Sequence, residues 1–208
     1  MLDKPAYRPD EIEFLFPKEK SLLDEYFKVR DAVYLEQFNL PTAELLQDGY
    51  EAQPYTNFLV VRHNGKVIGG SRIIFHYEGS NTLLPFEGED FKISDVFPDL
   101  NLPNVRYCEV DRTVLARDYR TGDLGREIVV HFVSKCKDEG AKYIFGIGPM
   151  IQVRNYKRHC TALGIDFHIQ KDIILPDRRA YNGKKMWLTV TDLSYPTPSV
   201  SMLFQQTS

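Results

Sequence analysis

The chain has 208 residues, 43% of them hydrophobic and 26% charged, a composition that suits one globular domain with a substantial core. A formal charge of -3 argues against a general nucleic-acid binder, which needs a basic face. No stretch approaches the roughly 18 apolar residues of a membrane span, and the opening "MLDKPAYRPDEIEF" lacks the apolar segment of a secretory signal, so a cytoplasmic protein with no integral membrane association is expected.

In chain order, "EIEFLF" (11–16) predicts a short strand closed by Pro17. Over 18–38 the apolar residues Leu22, Leu23, Tyr26, Phe27, Val33, Tyr34 and Phe38 recur at helical spacing, which predicts an amphipathic helix ending near "NLP". Residues 42–56 are polar and turn-rich, a loop with one helical turn. Over 57–77 two apolar runs flank Asn64-Gly65, the common two-residue hairpin turn. Residues 78–104 read as a loop. A strand over about 106–115, a glycine turn at 120–125 and a helix from about 125 to 139 follow. Next come a buried strand in "AKYIFGIGP" (141–149) and a helix over 150–164. "IDFHIQKDII" and "KKMWLTVTDL" predict two last strands, while 1–9 and about 195–208 are expected to be loosely ordered. With no repeat or linker, this order predicts a single α/β domain over 1–208. It would have three layers, a mixed sheet flanked by helices and locally parallel across 106–149.

The densest chemistry lies in "YCEVDRTVLARDYRTGDLG" (107–125). In a regular strand Glu109 and Asp111 share one face, while Val110 and Arg112 share the other. Glu109 and Arg112 can cooperate only if a bulge breaks the strand. Bulges re-aim side chains and leave backbone N–H groups unpaired, and such an N–H is suited to an oxyanion. The plain alternative is a charged strand face balanced by its neighbours. The turn "YRTGDLG" brings Gly122 and Gly125 to the start of a helix, where free N–H groups suit an anion such as a pyrophosphate. It matches neither the Walker loop nor GxGxxG. The three cysteines, Cys108, Cys136 and Cys160, are odd in number and lack CxxC spacing. Buried reduced thiols are expected, and neither a disulfide framework nor a metal site. His131 in "IVVHFV" reads as a core or half-buried residue.

The order of elements resembles the GNAT acyltransferase fold, whose sheet is splayed at its centre. Its phosphate loop has the pattern Arg/Gln-x-x-Gly-x-Gly/Ala. "RTGDLG" sets Arg120 and Gly125 on the outer positions, with Asp123 in place of the middle glycine. Five blocks in order across 30–112 further resemble the acyl-homoserine-lactone (autoinducer) synthases and the N-acyl amino acid synthases. They are "KVRDAVY" with Arg30 and Tyr34, "DGYEAQPYTNFLVV" with Asp48 and Glu51, "VIGGSRII" with Arg72, "DVFPDL" with Phe97, and "CEVDR" with Glu109 and Arg112. The sequence departs from that pattern at Leu46, where an acidic residue leads the loop, and near Leu40, where a tryptophan closes the first helix; the only tryptophan is Trp187. In the autoinducer synthases these positions surround the S-adenosylmethionine acceptor.

The resemblance implies transfer of a fatty-acyl group from acyl carrier protein or acyl-CoA, used as co-substrate, to a small-molecule amine such as an amino acid or S-adenosylmethionine. No cofactor is expected to be bound permanently. Glu109 is implied to guide the amine proton, a backbone amide near Asp111 to hold the oxyanion, and Tyr156 to protonate the leaving thiolate. Arg112, Arg72, Arg30, Tyr34, Asp48, Glu51 and Phe97 would surround the acceptor; the plain alternative for Arg30, Arg72 and Arg112 is a structural salt-bridge network with Asp48, Glu51 and Glu109. Arg120, Thr121, Gly122, Asp123, Leu124 and Gly125 would hold the phosphopantetheine or CoA phosphates. Phe75, Phe86, Phe97 and Phe145 would line an acyl pocket. Arg154, Lys157 and Arg158, with His159, make a basic helix face suited to docking an acidic carrier protein, or simply to solvent; Arg126, Lys135, Lys137 and Lys142 are expected to extend it. Two other readings stay open, an acetyltransferase using acetyl-CoA and a non-catalytic module that binds an acyl ligand or a partner.

Overall fold

A computed structural model describes residues 7–39, 48–80, 82–120, 122–176 and 183–194. Leu40, Leu46, Thr121 and the segment from 195 onward lie outside the described residues. At the centre of the first half is the hairpin: β2 (Thr56–His63) and β3 (Lys66–His76) join through Asn64 and Gly65, both at positive φ, as the Asn-Gly turn demands. The short β1 (Ile12–Leu15) lies outside β2, and β4 (Tyr107–Leu115) lies antiparallel on the other side of β3. From β4 the chain crosses through α3 (Gly122–Asp138) to β5 (Tyr143–Gly148), which runs parallel to β4. Helix α4 (Met150–Ala162) leads to β6 (Asp166–Gln170), and β7 (Trp187–Asp192) inserts between β5 and β6. The resulting sheet has the order β1-β2-β3-β4-β5-β7-β6.

Each face of the sheet has its own cover. Helix α1 (Lys20–Phe38) sets Tyr26 and Val33 against Phe58, Val60, Val67 and Val114. On the same face, the segment from Leu84 to Val105, with the short α2 (Ile93–Val96), packs on Ile74, Tyr107, Phe145 and Leu188. The opposite face is covered by α3 and α4, through Leu124, Ile128, Val129, Phe132 and Cys160 against Leu59, Ile73, Cys108 and Ile144. Helix α3 begins three residues earlier than the sequence suggests, so the glycine turn is already its first turn. The three cysteines are buried free thiols, with the Cys108 and Cys136 Sγ atoms 3.3 Å apart. His131 stacks on Phe14 with ring centroids 4.1 Å apart.

Two irregularities shape the middle of the sheet. The first is a β-bulge in β4. Arg72 pairs with Asp111 but Gly70 pairs with Val114, so Arg112 and Thr113 together face the single residue Ser71. Arg112 takes a φ of 51°, the left-handed backbone that lets one extra residue fit. The second is a splay. The parallel pairing of β4 and β5 covers only Tyr107, Cys108 and Glu109 against Tyr143, Ile144 and Phe145; beyond Glu109 the two strands part.

Candidate active site

Three guanidiniums, those of Arg30 and Arg72 fully buried and that of Arg112 partly so, meet four carboxylates on the α1 side of β3 and β4. Arg72 is fully buried and uses its whole fork: Nε to Asp111 Oδ1 at 2.8 Å, Nη1 to Asp48 Oδ1 at 2.7 Å and Nη2 to Asp48 Oδ2 at 2.8 Å. Such two-pronged pairing is the geometry that arginine provides and lysine does not. Arg30, on α1, is also fully buried; it pairs with Glu51 and Asp31 and lies over the Phe27 ring at 4.8 Å. Arg112 donates from Nη2 to Asp48 Oδ2 at 2.8 Å. Burial works against ionising Asp48, but the Arg72 and Arg112 guanidiniums outweigh it and hold its carboxyl down to about 2.

The bulge makes this cluster possible. In an unbroken strand Arg112 faces away from Asp111; the extra residue turns it to the same side, where its side chain reaches Asp48. The bulge's own backbone is anchored from α1, since the buried Tyr26 hydroxyl donates to the Arg112 carbonyl at 2.8 Å. Gly70 is the other half of that arrangement: a Cβ there falls 2.2 Å from the Leu59 carbonyl and 2.9 Å from the Tyr26 ring. Neither Tyr26 nor Gly70 stands out from sequence motifs, although Gly70 is half of a Gly-Gly pair inside a strand, a recognised mark of close backbone approach.

Glu109 sits where the parallel pairing ends and is 1% exposed. It does not join the arginine network as the sequence suggests. Asp111 takes that place, because in register it is Asp111 that faces Arg72, while Glu109 faces Ile74. The Glu109 Oε2 atom is buried with no hydrogen-bond partner among the described residues. Burial first, then the nearby Asp111 charge, push its carboxyl well above the usual carboxylate range, with Arg72 offsetting part of the rise. Tyr34 borders the same cluster, and burial followed by the Asp111 charge pushes its hydroxyl up to about 12. Phe97 lies on this face as well, 6.0 Å from Phe145 between ring centroids.

The second half of the site lies at the end of β4, where α1 meets α3 and α4. A cleft of about 320 Å³ opens between the end of β4, the C-terminal part of α1, the start of α3 and α4. Thr113, Arg120, Gly125, Tyr156 and Arg158 line it, so several of the expected donor-binding residues converge here. Arg120 already has partners: its Nε donates to the Leu115 carbonyl at 2.9 Å, and Nη2 to Glu36 at 2.6 Å. Leu124 is completely buried in the core, which leaves only its backbone for a ligand. Asp123 is exposed in the first turn of α3. Tyr156 is pushed up by burial, with Thr113 beside it offsetting part of the rise. His159, expected from the sequence only as part of the basic α4 face, also lines the cleft; its Nε2 lies 3.1 Å from where a Gly125 Cβ would be, so glycine is what lets the imidazole approach the helix start. Burial, then Arg158 and Arg126, hold that imidazole below its ordinary range.

Some expected neighbours belong elsewhere. Arg154, Lys157 and Arg158 are exposed on α4 beside the cleft. Lys135, Lys137 and Lys142 do not extend that face; they sit at and beyond the C-terminal end of α3, about 24 Å of helix from its start, and Lys135 pairs with Glu139. Of the four phenylalanines expected along an acyl pocket, only Phe145 borders the space between the parted strands. Phe86 and Phe97 pack under the 84–105 segment, and Phe75 faces α3.

A mixed seven-stranded sheet, parted between its parallel central strands and bulged beside the gap, is a distinctive arrangement. In its overall fold the chain is similar to the solved N-acyl amino acid synthase FeeM from uncultured soil microbes, with a TM-score of 0.66 at 9% identity, over 88% of this chain and 91% of FeeM. The chain has the GNAT fold. It is also similar to the acyl-homoserine-lactone synthase LasI, with a TM-score of 0.55 and 14% identity over 88% of this chain and 89% of LasI. The CoA-dependent acyl-homoserine lactone synthase BjaI gives a TM-score of 0.54 at 20% identity, over 84% of this chain and 78% of BjaI. No family model matches the sequence, and no curated protein does.

Proposed function

We propose that the protein is an N-acyltransferase that moves an acyl group from an acyl carrier protein or CoA thioester to the amine of a small molecule, in the manner of the synthases it resembles. The observation that carries this reading is Glu109: a buried carboxyl with an unpartnered oxygen, set where β4 and β5 part and directly before a bulge. The thioester arm lies in the 320 Å³ cleft with its carbonyl at the bulge. The α3 N-terminus, Arg120 and His159 face its phosphate, the first through free helix N–H groups. The acceptor amine approaches from the arginine–carboxylate side. Glu109 takes its proton, directly or through one water, as the nitrogen attacks the carbonyl carbon. A backbone N–H of the Asp111–Thr113 bulge holds the oxyanion. As the C–S bond breaks, Tyr156, kept protonated by burial, supplies the proton to the sulfur. Arg30, Arg72 and Arg112 act mainly on one another's carboxylate partners, fixing the wall of the acceptor site.

The test is thioester consumption and product mass with panels of acyl-CoA and acyl carrier protein donors against amino acids, S-adenosylmethionine and simple amines. N-acyl product that vanishes with Glu109→Gln supports the proposal. An absence of turnover with every donor and acceptor leaves a binding module instead.

A further inference from the structure

Beyond the cleft the donor meets a much smaller space. A cavity of about 40 Å³ lies in the gap between β4 and β5 and beneath α4, bordered by Val110, Gly146, Thr191, Tyr156, Phe132 and Phe167. Tyr156 belongs to the walls of both the cleft and this cavity. Along β4 the cavity touches Val110 and the cleft touches Thr113 of the bulge, with Asp111 and Arg112 between them. A thioester whose arm fills the cleft and whose carbonyl rests at the bulge therefore directs its acyl chain into the 40 Å³ cavity.

Resting on the acyltransferase reading, we infer that the acyl group is short, acetyl to about butyryl, and that Phe167 sets the limit. A cavity gives one water-sized atom about 10–15 Å³, so this one holds about three carbons past the carbonyl. Its other walls are hard to move. Gly146 and Thr191 belong to central strands, and a Cβ on Gly146 would already stand 3.1 Å from the Val110 carbonyl. Phe132 is buried from α3 and edge-on to Tyr156, with ring centroids 6.4 Å apart, so it is part of the support for that tyrosine. Phe167 differs. In the order β4-β5-β7-β6 its strand lies farthest from β4, it pairs with Thr191, and its ring is only half-buried. It stands at the end of the lining away from β4.

The experiment measures binding of S-alkyl-CoA thioethers, from ethyl to decyl, by calorimetry, which needs no acceptor and no turnover. Affinity is expected to rise through butyl, about fourfold per added methylene, and to fall at least tenfold by decyl. Phe167→Ala should remove that fall, and the milder Phe167→Leu should move the optimum by one or two carbons, with thermal unfolding showing that each variant is folded. Wild-type affinity that climbs steadily to decyl, or is flat across the series, overturns the inference while leaving the acyltransferase reading in place. No binding of any thioether, whether carried on CoA or on the phosphopantetheine of an acyl carrier protein, overturns that reading itself. A decyl penalty that survives in folded forms of both variants removes Phe167 from its role.

Discussion

Glu109 and Asp48 are carboxylates under the influence of the same two arginines, Arg72 and Arg112, but opposite in electrostatics. Glu109 is raised by burial and by Asp111, so its protonated form is the comfortable one in the folded protein. Two consequences follow from that direction. Acyl transfer through a Glu109 base should rise with pH on the acid side, and Glu109→Gln should abolish both the limb and the rate, by about 10²- to 10⁴-fold; initial rates from pH 5 to 9 decide it, and an unchanged rate removes Glu109 from the mechanism. A raised carboxyl also contributes stability that is present below its unfolded value and lost as pH rises through its folded one, so the unfolding midpoint of Glu109→Gln should overtake that of wild type as the pH increases. Asp48 runs the other way. Its carboxyl is held near 2 by Arg72 and Arg112, so its contribution is present above the ordinary 3.8 and lost as pH falls toward 2. Asp48→Asn should flatten the acid arm of the stability curve over that window, as read by denaturant unfolding. Removing the buried partner is harsher: Arg72→Ala strands Asp111 and Asp48 and should cost about 3–5 kcal/mol.

The bulged half of β4, with the α1 side chain that supports it, works as one mechanical part. Tyr26 holds the bulge's carbonyl, Gly70 makes room for Tyr26, and the turned Arg112 joins Asp48. Tyr26→Phe keeps the ring packing and removes one hydrogen bond, so about 1–3 kcal/mol of stability should go, together with a drop in kcat larger than any change in KM for the donor. Gly70→Ala forces a methyl against the Leu59 carbonyl and the Tyr26 ring, and overpacking of this kind costs about 1–3 kcal/mol or more; a midpoint equal to wild type in urea would show that α1 can yield there. Both elements were visible in the sequence as a strand and a helix. The sequence calls for a bulge only as the condition under which Glu109 and Arg112 cooperate, whereas the cluster it builds pairs Arg112 with Asp48 and Arg72 with Asp111. Period-two alternation cannot place an extra residue, because the register change depends on Ser71 across the strand pair and on Tyr26 from a helix far away in sequence.

On the scale of the molecule, the site has two parts, with the ion cluster and Glu109 on the α1 face of the sheet and the donor cleft at the end of β4, between α1, α3 and α4. Arg154, Lys157 and Arg158 stand exposed beside the donor side, so Lys157→Glu with Arg158→Glu should lower kcat/KM for a carrier-protein thioester by about tenfold or more, and more steeply at low salt, while sparing a pantetheine thioester. Equal losses on both donors would count against a carrier dock. The sequence alone determined the elements, their order, the Asn64-Gly65 hairpin and the residue types of the acidic and basic blocks, since these depend on periodicity and turn chemistry within a few neighbours. Tertiary structure alone decided that Arg112 turns toward Asp111, that Lys135, Lys137 and Lys142 lie far from the cleft, that Leu124 is core, and that the space past the bulge is small. Each of those outcomes is a sum over side chains from several distant segments closing on the same few ångströms, and no local pattern carries that sum.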